Sequence, residues 1–137
     1  MKKPELLAPA GDMDCFMAAV NAGADAVYLG GEEYGARAYA SNFSREELCE
    51  AICYAHLFGV KVYLTVNTLV KEREFDNLEA FIRPFYDVGL DGVIVQDFGV
   101  LYRLSEAFEG LELHASTQMA IANSYGADFL KRYGVCR

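Results

Sequence analysis

Residues 23–31 read Gly23-Ala24-Asp25-Ala26-Val27-Tyr28-Leu29-Gly30-Gly31: a glycine, a short apolar and β-branched run, then paired glycines. A glycine that follows an amphipathic stretch suits the left-handed residue after a helix, where a Cβ would cost energy. The run behind it suits a strand buried on both faces. The same unit recurs after Gly59, Gly89, Gly110 and Gly134. The corresponding runs are Lys61-Val62-Tyr63-Leu64-Thr65-Val66, Gly92-Val93-Ile94-Val95 and Leu111-Glu112-Leu113-His114-Ala115. Pro4 to Ala8 supplies a strand before the first helix, and Val135-Cys136-Arg137 opens a sixth.

Helix signals fall between these strands. Asp12 is placed to cap a helix running to about Ala22, and Ser44-Arg45-Glu46-Glu47 reads as a capping box for one running to about Phe58. Further helices are expected near 74–88, 98–108 and 119–133. Strands alternating with single helices imply parallel pairing through right-handed crossovers. An open doubly wound sheet and a closed barrel both fit that pattern. The first turn, Ala8-Pro9-Ala10-Gly11-Asp12, lacks the G-x-G-x-x-G of dinucleotide-binding sheets.

The 137 residues, 53% hydrophobic and 23% charged, contain no low-complexity linker and read as one domain. The start, Met1-Lys2-Lys3-Pro4-Glu5-Leu6-Leu7-Ala8, has too short an apolar run for a signal peptide, and no run approaches the roughly 20 residues of a membrane span. A cytoplasmic protein with no membrane partner is expected. In a reducing compartment Cys15, Cys49, Cys53 and Cys136 are expected as buried thiols rather than disulfides. A net charge of −8 argues against this segment gripping a phosphate backbone.

In either fold, function sits at the carboxyl ends of the strands. Those ends carry Pro9-Ala10-Gly11, Gly30-Gly31, Asn67-Thr68, Gln96-Asp97 and Ser116-Thr117-Gln118. Alternation puts Tyr63, Thr65 and Asn67 on one face, and Glu112, His114, Ser116 and Gln118 on another. Polar groups are costly to bury alone, so these faces are expected to line a polar cavity. Asn67, Gln96 and Asp97 fit equally well as helix caps or loop ties, and Glu112 as a solvated residue. His114 beside Ser116 invites a nucleophile reading, but no G-x-S-x-G elbow accompanies the pair. His114 is otherwise a substrate or metal contact, or a hydrogen-bonded core residue. Cys49, Cys53 and His56 form one helical stripe that reads as core rather than as a metal site. No metal site is assigned, and no H-E-x-x-H is present.

The strand-end segments, taken in order, resemble a known family. The matching stretches are Glu5 to Asp12, Gly23 to Gly31, Arg37, Asn42-Phe43, Tyr54-Ala55-His56, Thr65 to Leu69, Val95 to Val100 and His114 to Met119. They are similar to the collagenase-like peptidase family of unassigned catalytic type. That family also includes bacterial proteins implicated in hydroxylating tRNA, rRNA and ubiquinone precursors without oxygen. Tyr34 stands where the family usually has Phe, and Cys136 where a hydrophobic residue is usual.

The resemblance implies an α/β fold: a (β/α)₈ TIM-like barrel of which residues 1–137 supply the first five or six βα units, truncated before closure. It implies a peptidase or an oxygen-independent hydroxylase of RNA or a ring substrate, with prephenate as a small dicarboxylate partner. Arg37 would receive a carboxylate, or equally well make a structural ion pair with a nearby glutamate, while Asn67, Gln96, Asp97, His114, Ser116 and Gln118 would supply further substrate contacts. No cofactor is expected on this segment. The implied iron–sulfur ligands belong to a downstream cysteine-bearing region, as does any RNA contact. A barrel stopped at five strands would expose two edges, so self-association, or a non-catalytic half-barrel pairing with another chain, is a third expectation.

Overall fold

The computed structural model describes residues 3–36 and 42–137. Five strands form one sheet: β1 (Leu7–Pro9), β2 (Ala26–Gly30), β3 (Lys61–Val66), β4 (Gly92–Val95) and β5 (Glu112–Ala115). Every pairing is parallel, and the order is β1-β2-β3-β4-β5. Each strand therefore lies beside the next one in sequence, and the order never reverses as it does at the switch point of a doubly wound sheet. Val135 adds one parallel bridge to Leu113, where the sixth strand was expected to open.

The connecting helices are α1 (Met13–Asn21), α2 (Arg45–Leu57), α3 (Glu72–Phe75), α4 (Leu78–Asp87), α5 (Phe98–Ala107) and α6 (Ser124–Lys131). Two of them begin as the sequence indicates. The Asp12 carboxylate accepts from the Cys15 amide at 2.8 Å. Ser44 and Glu47 close a reciprocal capping box, at 3.2 Å and 2.8 Å. All five unit glycines have positive φ. Gly23 shows why: its amide donates to the Val20 carbonyl and that of Ala24 to Ala19, the two bonds of a Schellman stop that needs φ near its observed 87°.

Alternation divides the sheet into two chemically different faces. Val27, Leu29, Val62, Leu64, Val66, Val93, Val95 and Leu113 pack into one apolar core with Phe16, Leu48, Ile52, Ile82, Phe85 and Leu101 from the helices. The opposite face carries Tyr28, Tyr63, Thr65, Ile94, Glu112 and His114, as register and parity require. Gly92 lies on that face between β3 and β5. A Cβ built there would sit 2.8 Å from the Glu112 carbonyl oxygen and 3.2 Å from the Tyr63 ring.

Four expectations need correction. The cysteines are free, but Cys15, Cys53 and Cys136 are exposed and Cys49 is half-buried. The buried stripe of α2 is Leu48, Ala51, Ile52 and Ala55, so Cys49, Cys53 and His56 stand one position round the helix from the core. The helix expected over 74–88 is broken after Phe75 and restarts at Leu78. The one expected over 119–133 begins only at Ser124, where Asn123 accepts from the Gly126 amide. Before it comes a 3₁₀ turn, Thr117–Met119, closed by Ala120 in the left-handed conformation. No helix among the described residues is long and apolar enough to cross a membrane.

Candidate functional site

The polar face of the sheet opens into a cavity of about 590 Å³, within the range of small-molecule sites. Its wall is built from consecutive strand ends: Pro9 to Gly11 after β1, Gly30 of β2, Thr65 and Asn67 at β3, Ile94 of β4, and His114, Ser116 and Gln118 at β5. The two polar faces read from sequence thus meet in one space. Gly30 brings the wall together, because a Cβ there would meet Thr65 Oγ1 at 3.2 Å and Asn42 Oδ1 at 3.5 Å.

Asn67 ties the rim, its Oδ1 accepting from the Ala36 amide at 3.0 Å. Thr68 donates to the Tyr34 carbonyl at 3.0 Å, and the Tyr34 hydroxyl donates to that of Glu74 at 2.8 Å. The buried Ser116 accepts from the Gln118 amide at 3.2 Å, fixing the turn that carries Gln118 to the wall. Asp97 stands outside the lining. It caps α5 through the Gly99 and Val100 amides, at 2.7 and 3.0 Å, and reaches the Val70 amide with its other oxygen. Gln96 also stands outside the lining. Arg37 lies outside the described residues.

Below the rim lies a charged network. Lys61 donates to Glu112 Oε1 at 2.5 Å, and Glu112 Oε2 faces His114 Nε2 at 3.0 Å. Arg137 donates to Glu5 at 2.6 Å and lies over the Tyr63 ring, whose hydroxyl donates to Glu5 at 3.4 Å. Tyr63 also packs edge-on against His114, with ring centroids 4.4 Å apart.

These contacts set the charge states. Burial raises the Tyr63 phenol to about 12, so it stays a donor. Burial also pulls Glu112 upward, but its bonds to Lys61 and His114 outweigh that and leave it below the ordinary carboxylate value. His114, 2% exposed, is lowered, chiefly by burial. A neutral ring with Nε2–H directed at Glu112 leaves Nδ1 as a bare lone pair, and Nδ1 has no hydrogen-bond partner among the described residues.

One ligand atom each of Glu112, His114 and Cys136 lies within 4.8 Å of the other two, the one such metal-capable group among the described residues. Sequence reading missed this group and the ion pairs, since each brings together residues from distant parts of the chain. The available signal was parity: the residue after the bridge partner of Leu113 must stand beside His114. The implied iron–sulfur centre does not fit these residues. It needs several thiolates together, and no three cysteines converge among the described residues.

Comparison with known proteins shows the family. The family model described as peptidase family U32 matches residues 11–137. The chain is 39% identical over 136 residues to tRNA hydroxylation protein P1 of Bacillus subtilis, covering 99% of this chain and 32% of that protein. It is 43% identical over 129 residues to an uncharacterized protease of Methanocaldococcus jannaschii, covering 94% and 31%. The chain thus spans about a third of the length of these relatives. A solved U32 peptidase superposes with a TM-score of 0.75 at 16% identity, over 98% of this chain and 58% of the other. A sequentially ordered parallel sheet with its polar groups at the strand ends, matched nearly end to end by one family model, makes this chain a member of peptidase family U32.

Proposed function

We propose that the chain is the N-terminal arc of a (β/α)₈ barrel in an enzyme that hydroxylates RNA, or a ring substrate, without oxygen. The cavity lined by Asn67, His114, Ser116 and Gln118 is the observation that carries this reading. It combines an apolar floor with a few convergent hydrogen-bonding groups, the character of a site for a small ring acid such as prephenate. The resemblance adds Arg37 as a bidentate partner for a carboxylate. Sequential strand order supports the barrel, because each added βα unit extends the sheet in one direction.

RNA contact and redox chemistry are assigned to the rest of the protein. This segment carries a net charge of −8 and no thiolate cluster among its described residues. A peptidase is the competing reading, supported by the name of the archaeal relative. Against it, no hydrogen bond among the described residues joins His114 to Ser116, whose oxygen accepts instead from the Gln118 amide.

The test is nucleoside mass spectrometry of tRNA and rRNA from cells lacking the gene. A hydroxylated nucleoside should disappear, return with the wild-type gene, and fail to return with Gln118→Ala or Asn67→Ala. An unchanged nucleoside profile together with lost gelatin cleavage would replace this reading with the peptidase one.

A further inference from the structure

We propose that Glu112, His114 and Cys136 form a binding site for a divalent cation of the zinc class, next to the cavity that His114 lines. The backbone places all three. Glu112 and His114 are two residues apart on one face of β5, so both point away from the helix layer. The Leu113–Val135 bridge, extended by the Cys136 amide on the Leu113 carbonyl and the Ala115 amide on that of Arg137, sets Cys136 alongside His114. One ligand atom from each side chain lies within 4.8 Å of the other two.

An independent observation concerns the imidazole. His114 is 2% exposed, yet its Nδ1 has no hydrogen-bond partner among the described residues. Buried polar atoms are almost always satisfied, and an orphaned one calls for a ligand. The other ring nitrogen, Nε2, lies 3.0 Å from Glu112 Oε2, so the ring already meets one member of the group.

The donor set selects the cation. Sulfur and imidazole nitrogen beside one carboxylate suit zinc, whereas magnesium and calcium require oxygen ligands. Zinc-type bonds of about 2.0–2.3 Å bring ligand atoms to roughly 3.5 Å from one another. Closing from 4.8 Å needs only rotation of Cys136, which is exposed, and Glu112, which is half-buried. The neighbouring cations do not repel the ion unopposed, because Lys61 is held by Glu112 and Arg137 by Glu5. Three protein ligands leave a fourth position for water or another ligand atom.

The experiment is titration of the full chain with Co²⁺ under reducing conditions, followed by displacement with Zn²⁺. One equivalent should produce a thiolate-to-cobalt charge-transfer band in the near ultraviolet, which zinc abolishes. Cys136→Ser, a change at an exposed position, should remove the band. Cys15→Ser, Cys49→Ser and Cys53→Ser should keep it. His114→Gln should weaken zinc binding by at least about tenfold. No band in the wild type, a band that survives Cys136→Ser, or one that needs Cys49 or Cys53 would overturn the proposal.

Discussion

Replacing Gly92 with alanine sets two opposing effects against each other. The added methyl would meet the Glu112 carbonyl oxygen at 2.8 Å, Glu112 Cβ at 2.9 Å and Tyr63 Cδ1 at 3.2 Å. The first two atoms belong to or adjoin the backbone of β5, so no rotamer change can move them aside. The β4 and β5 strands must part locally, or the Tyr63 ring must tilt off His114. Overpacking of this kind costs about 1–3 kcal/mol. Alanine also narrows the unfolded ensemble, which returns about 0.4–1 kcal/mol. The clash wins, for a net loss of about 1–2 kcal/mol. With a urea m-value of about 2 kcal/mol per molar, the unfolding midpoint should drop by roughly 0.5–1 M at unchanged m. Gly11→Ala is the control, since nothing lies within 4 Å of a Cβ there. Its midpoint should hold or rise slightly. A Gly92→Ala midpoint equal to or above the wild type would refute the claim that β3, Gly92 and β5 are packed to contact.

Two further outcomes test the site and its support. The His114 imidazole is lowered from its ordinary 6.5 in the folded chain, so the unfolded chain binds the proton first as the solution is acidified. Its contribution is complete above about pH 6.5 and is lost as pH falls through the folded value. Thermal melts from pH 7 to pH 5 should fall more steeply for the wild type than for His114→Gln; parallel profiles would contradict a buried neutral ring. Asp97→Ala removes the cap of α5 and the tie to Val70. It should cost about 1–2 kcal/mol, a Tm drop of roughly 3–8 °C, while Asp97→Asn keeps an acceptor and most of the stability. Equal losses in calorimetry of the two variants would mean that charge, not capping, is what Asp97 supplies.

Local chemistry made much of this legible in sequence. Glycines after helices, the Ser44–Glu47 box and strand alternation each depend on neighbours within a few residues, and each appears where expected. Parity alone groups Thr65 and Asn67, and likewise His114, Ser116 and Gln118, and the cavity wall contains each of them. The failures share a cause as well. Cys49 and Cys53 flank the apolar stripe of α2 by one residue, a rotation of about 100° that composition does not resolve. Asp97 as cap or as ligand depended on where its oxygens point. The Lys61–Glu112 pair joins β3 to β5 and the Glu5–Arg137 pair joins segments 132 residues apart, so only the folded arrangement reveals them.

The sequential strand order has a consequence for how the chain assembles. Registered partners of successive strands, such as Leu7 with Ala26, Ala26 with Lys61, Tyr63 with Gly92 and Gly92 with Glu112, are 19, 35, 29 and 20 residues apart. Loop-closure entropy grows only as the logarithm of length, so the four closures differ by about 0.5 kcal/mol. Topology therefore favours no starting point, and the nucleus is chosen by side chains. The β2–β3 pair, with Val27, Leu29, Val62 and Leu64 on one face beneath α2, is the place where closure is repaid soonest. The other units can then accrete outward on either side, each using the newest edge as its template.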